Sequence, residues 1–148
     1  MNDNHLFQAR YKDSVIRAES KEAVDELVSH LNHADAVERE TKRRWPGTTP
    51  EERMSALAGR FPSMRDIPGA DPWDEVAILH WCNSGAPTGG SRWAARFLLA
   101  VWNPHTDWTT TEPALTSDGR FDLFQAWNAW DDEHRAAAME WLQYPFYP

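Results

Sequence analysis

The sequence predicts an α+β chain that is mostly α, with an N-terminal β-hairpin plus helix joined to a Trp-rich helical bundle of four or five helices. Three observations predict it. Residues 6–12 alternate, with Phe7, Ala9 and Tyr11 on one face and Gln8, Arg10 and Lys12 on the other, the period of a strand. From Ser20 onward the apolar spacing turns helical and is broken by caps, prolines and glycines. Of nine tryptophans, only Trp45 precedes residue 66.

The elements follow in order. Ser14–Glu19 forms a second strand, and the short Lys12-Asp13 connection closes a hairpin. Ser20 caps a helix whose Ala23, Val24, Leu27, Val28 and Leu31 make an apolar stripe fit to cover that hairpin. A polar helix over 32–44 ends in Lys42-Arg43-Arg44, where a helix C-terminus favours cations. Thr49-Pro50-Glu51-Glu52 is a helix start, with a cap, Pro at the first position and then acids. A Pro-broken connector over 61–69 is the domain-boundary candidate, dividing residues 1–65 from residues 66–148 within what is expected to be one compact unit overall. Asp71-Pro72 begins a helix reaching about Asn83. Ser91 caps a helix through Trp102 that is apolar almost all round and serves as the central core helix. Residues 103–119 are Thr-rich and helix-poor, a length typical of functional loops. Asp122 caps a helix to Trp130, and Asp131 caps the last helix to about Gln143.

Composition sets the class. The 148 residues are 41% hydrophobic and 12% aromatic, which argues for a folded chain. Their formal charge is −8, which disfavours broad nucleic-acid binding, since such binding runs on Lys and Arg. All of that excess falls on 66–148, which hold 12 acids against 4 arginines, while 1–65 balance 11 against 11. A single cysteine precludes an internal disulfide framework. The N-terminus lacks the pattern of a signal peptide, and the longest apolar run, Phe97–Trp102, is far short of a membrane span. The expectation is a cytoplasmic protein.

The stretch Thr88-Gly89-Gly90-Ser91-Arg92-Trp93-Ala94-Ala95-Arg96-Phe97-Leu98-Leu99-Ala100-Val101-Trp102-Asn103, followed by Gly119-Arg120-Phe121-Asp122-Leu123 and Trp127, resembles a family of small proteins encoded on plasmids, phages and integrative elements. The pattern is T-G-x-S-R-x-x-A-x-F-L-L-A-x-W-N, then G-x-F-D-L-x-x-x-W. This chain departs from it in a longer loop before Phe121 and in its N-terminal hairpin. The resemblance implies a mobile-element accessory role and carries no chemistry with it.

Motifs with chemical content are few. Gly85–Ser91 lacks the lysine of a phosphate-binding loop and follows a helix, so it reads as a turn. Glu26, His30 and His33 share a helix face but lack the His-Glu-x-x-His signature of a zinc site. His80 and Cys82 point to different sides of their helix, and Cys82 reads as a small core residue. Arg92 and Arg96 read as structural, paired with Asp122 or another acid. No catalytic residue, metal site or cofactor is assigned. Trp81, Trp93, Trp102, Trp127 and Trp141 read as core. Trp73, Trp108 and Trp130 lie at helix ends or in the loop, where Trp reaches the surface and anchors partners. Asp118, Asp122, Asp131, Asp132 and Glu133 form the densest acidic cluster, fit to steer a basic partner.

The resulting expectation is a protein that acts by protein–protein binding through an acidic, Trp-bearing surface. Joined to the mobile-element resemblance, this points to an inhibitor of a host defence nucleoprotein complex, of the anti-CRISPR or antirestriction type. Two alternatives stand beside it. One is a small hydrolase or transferase using His105, His134 or Cys82 near the 103–119 loop. The other is a homo-oligomeric accessory whose tryptophans pack across a self-interface.

Overall fold

In the computed structural model of the chain, residues 7–18, 20–111, 114 and 120–148 are described. The protein is α+β and mostly α: a two-stranded antiparallel hairpin, then six α-helices among the described residues. It divides into two compact units, Met1–Glu40 and Thr41–Pro148. This division falls inside a helix. The connector at 61–69 lies within the second unit and packs onto its core through the fully buried Phe61 and Met64.

In the first unit, β1 (Phe7–Tyr11) pairs with β2 (Ser14–Ala18) in the register Ala9↔Ile16 and Tyr11↔Ser14. Lys12 adopts φ +53° at the two-residue turn. Helix α1 (Lys21–Arg44) starts where the Ser20 hydroxyl accepts the Ala23 amide at 3.1 Å. The apolar stripe and the polar segment after it form this one helix, because no Gly or Pro interrupts 21–44. Tyr11 donates its hydroxyl to the Leu31 carbonyl at 3.0 Å, and Lys12 pairs with Asp35 at 2.9 Å. Among the described residues of α1 only Val24 is fully buried.

The second unit is built around α4 (Gly89–Trp102), which buries Ala94, Ala95, Phe97, Leu98, Leu99 and Val101. Helix α2 (Pro50–Ala58) has the complete capping box between Thr49 and Glu52. Its Met54 and Leu57 join the core, as do Ile78 and Leu79 of α3 (Glu75–Asn83). The cap of α3 is Asp74, which accepts the Val76 and Ala77 amides, and not Asp71 three residues earlier. The shift follows from Gly69. At φ +85° its carbonyl takes the Asp74 amide at 2.9 Å, and a Cβ there would lie 2.5 Å from the Asp74 oxygen. Only glycine tolerates that approach. Helix α4 likewise begins two residues before the expected Ser91, with Thr88 as N-cap; Ser91 is buried and donates to the Thr88 carbonyl.

Helices α5 (Leu123–Ala129) and α6 (Asp132–Gln143) start at the expected caps, Asp122 and Asp131. Phe61, Phe97, Phe121, Trp130 and Trp141 form a continuous ring cluster with centroid separations of 5.4–6.2 Å, the range of favourable aromatic pairs. The C-terminal tail is fixed by Trp45, which donates its indole N–H to the Tyr144 carbonyl at 2.7 Å and packs against buried Phe146.

Leu98 sits on the middle turn of α4 with no exposed surface. Leu98→Ala leaves a cavity at the centre of the unit, and chemical denaturation should show a loss of about 2–5 kcal/mol.

Candidate functional site

Helix α5 is seven residues long, too short to hold its shape in water alone. It is held at both ends. Asp122 accepts the Gln125 amide at 3.0 Å at its start. At its end Trp130 turns inward, and its indole N–H donates to the Gly90 carbonyl at 3.1 Å. Ala126 and Trp130 are the buried residues of this segment, one turn apart. That anchoring forces the opposite face outward, because residues two apart on a helix point about 200° apart. Phe124 is consequently 82% exposed, beside Leu123 at 45% and Trp127 at 37%. Three large apolar side chains within five residues form a patch.

Acidic groups border the patch. Arg135 donates to the Trp127 carbonyl from Nε at 3.0 Å and from Nη2 at 2.9 Å, with its guanidinium 5.6 Å from the Trp127 ring centre. Its Nη1 lies 3.2 Å from the fully exposed Asp132 carboxylate. Trp127, Arg135 and Asp132 are thus one connected group. Glu133, the next residue in α6 after Asp132, is exposed. Asp131 has a different task. Its Oδ1 accepts both the His134 amide at 2.9 Å and the His134 ring Nδ1 at 2.7 Å. Those bonds, the amide first, hold its carboxyl below the ordinary value of 3.8. Asp122 is likewise occupied as a cap and is half-buried. Asp118 lies outside the described residues.

The expected Trp anchors are corrected. Trp73 and Trp130 are 5% and 2% exposed and belong to the core. The chain turns inward at those helix ends, so each indole fills the space between helices: Trp73 packs on Trp102, and Trp130 on Phe61, Phe97 and Phe121. Trp108 is half-buried and donates its indole N–H to the Leu99 carbonyl at 3.1 Å. Trp127, expected in the core, is the tryptophan of α5 that faces outward. Sequence reasoning also missed Leu123 and Phe124. Two adjacent large apolar residues on one helix cannot both turn in, but which face is inward rests on the Ala126 and Trp130 stripe that only the structure supplies.

The 103–111 segment borders a cavity of about 390 Å³ with Arg96, His105, Asp107, Trp108, Arg120 and Phe121 in its wall. Asp107 is held below the usual carboxylate range by the Thr109 hydroxyl and amide, and by Arg120. Neither Cys82 nor His134 is part of that wall. Burial pushes the Cys82 thiol up to about 11, against the opposing influence of Arg96 and Arg92, so it is protonated near neutrality. Arg92 donates to the Pro87 carbonyl at 3.3 Å, and the buried Arg96 lies over the Trp93 ring at 4.9 Å. Among the described residues no three His, Cys, Asp or Glu side chains group as metal ligands, and no helix is long and apolar enough to cross a membrane.

No protein-family model matches the chain, and no curated protein or solved structure matches it significantly.

The Asp131 cap gives a pH-dependent prediction. A carboxyl whose folded pKa lies below its unfolded value stabilises the fold above that range, and the contribution is lost as pH falls through the folded pKa. Asp131→Ala should therefore lower Tm at neutral pH. The gap from wild type should close as pH falls below 3.8; thermal melts across that range check it.

Proposed function

We propose that the protein acts by binding another protein, one with a basic surface, through the outward face of α5. The observation that carries this reading is the exposed Leu123, Phe124 and Trp127 triplet, with Asp132 joined to Trp127 through Arg135. An apolar centre with a charged rim is the anatomy of a protein interface, and aromatic residues dominate its energetics. The charge of −8 speeds encounter with a basic partner and discourages nucleic acid from the same surface. Together with the mobile-element resemblance, the reading extends to an inhibitor of a host defence nucleoprotein complex, of the anti-CRISPR or antirestriction type. There an acidic surface would occupy a groove that otherwise holds nucleic acid.

Self-association through this face is disfavoured on electrostatic grounds. A two-fold interface sets a patch against its own copy, which would bring the Asp132 and Glu133 rims together. An enzyme site at the 103–119 loop draws less support, since the cavity there gathers only His105 of the three candidate nucleophile or base residues.

The test is a tagged pull-down from bacterial lysate, with and without nuclease, followed by affinity measurement on the recovered partner. Burying a Phe side chain stabilises by about 1.5–3 kcal/mol, so Phe124→Ala should weaken binding roughly 10- to 100-fold. Its Tm should hold, because the ring touches little of the fold. Joint charge reversal of Asp132 and Glu133 should slow association at low salt and matter little at high salt. Binding undiminished in Phe124→Ala would remove α5 as the interface.

A further inference from the structure

Ser63, His134 and Asp131 are joined in a line that the interaction reading does not use. The Ser63 hydroxyl lies 2.8 Å from His134 Nε2, and His134 Nδ1 lies 2.7 Å from Asp131 Oδ1. We propose that Ser63 is an activated nucleophile toward carboxylic esters, with His134 as its general base and Asp131 as the group that orients the base.

The proton positions follow from the bonding. Asp131 also accepts the His134 backbone amide at 2.9 Å, and those bonds keep its carboxyl ionised. An ionised carboxylate only accepts, so Nδ1 of the ring donates. In the neutral imidazole Nε2 then carries the lone pair, and the Ser63 O–H donates to it. A serine hydroxyl, a neutral ring nitrogen and a carboxylate in that order are the parts of the hydrolase relay, which is recognised by geometry and roles and not by chain order.

Packing fixes the geometry. Ser63 is the middle residue of a 3-10 turn, Pro62–Met64. The flanking Phe61 and Met64 are fully buried, while Ser63 keeps part of its surface open. The His134 ring is buried, its centre 6.0 Å from that of Phe61. Capping α6 requires only the Asp131 bond to the His134 amide. The ring–carboxylate bond and the hydroxyl bond go beyond that need.

The reaction balances without a cofactor. Ser63 Oγ forms a bond to the acyl carbon, its proton passes to His134 Nε2, and the ester C–O bond breaks. The same proton leaves with the departing alcohol. Water then repeats the sequence on the acyl-serine, releasing the acid and restoring the hydroxyl.

The test uses the purified full chain with two probes, a fluorophosphonate and p-nitrophenyl acetate. With the first, the Oγ–P bond forms as P–F breaks. Intact mass and peptide mapping should find one adduct per chain, on Ser63, and none on Ser63→Ala. The ester should give a burst of one equivalent of p-nitrophenolate. Asp131→Asn retains a capping oxygen but permits the wrong ring tautomer, so its labelling rate should fall by roughly a hundredfold or more while Tm changes little. A purely structural role for Asp131 would leave that rate unmoved. Absence of an adduct on the folded wild-type chain, or equal labelling of Ser63→Ala, overturns the proposal. Neither result bears on binding through Phe124.

Discussion

The indole of Trp130 lies among Phe61, Phe97 and Phe121, with its N–H on the Gly90 carbonyl. Much of the second unit depends on this one placement. It ends α5, and the next residue, Asp131, begins α6. Because Trp130 is inward, Ala126 one turn earlier is inward too, and Phe124 and Trp127 are left facing water. Because Phe61 meets Trp130, the 3-10 turn that follows Phe61 is brought against the first turn of α6, where Ser63 reaches His134. One buried aromatic therefore sets both the exposed face and the polar line beside it.

The acidic groups of the second unit do several jobs that composition merges. Asp122, Asp74 and Asp131 spend their oxygens on helix amides, which satisfies groups that a helix start leaves unpaired. Asp132 and Glu133 stand in solvent. Arg135 ties Asp132 to the Trp127 carbonyl, with its guanidinium near the Trp127 ring. A cation held over an exposed indole also stiffens it, so less rotamer freedom is lost when the surface is covered.

Much of the fold was legible in the sequence. The hairpin, the helix start at Thr49-Pro50, the caps at Asp122 and Asp131 and the central position of α4 all rest on local rules: alternation, side chains short enough to reach nearby amides, and apolar periodicity. Such rules need no knowledge of distant contacts. Asp71 was displaced as a cap by Asp74 because Gly69 takes a left-handed conformation that draws the Asp74 amide back to its carbonyl. Trp73 and Trp130 were expected outside and Trp127 inside, because position near a helix end does not say which way the chain turns beyond it.

The sequence by itself determined that the second half is acidic, that helices start at Thr49, Asp122 and Asp131, and that the bundle must accommodate an unusual load of tryptophan. These are properties of neighbouring residues and of composition. Only the tertiary structure decided which aromatic rings are buried, since that depends on which helices meet. It also brought Ser63 to within hydrogen-bond reach of a histidine 71 positions away. No spacing rule links those residues, because their proximity is set by the packing of Phe61 against Trp130 and His134.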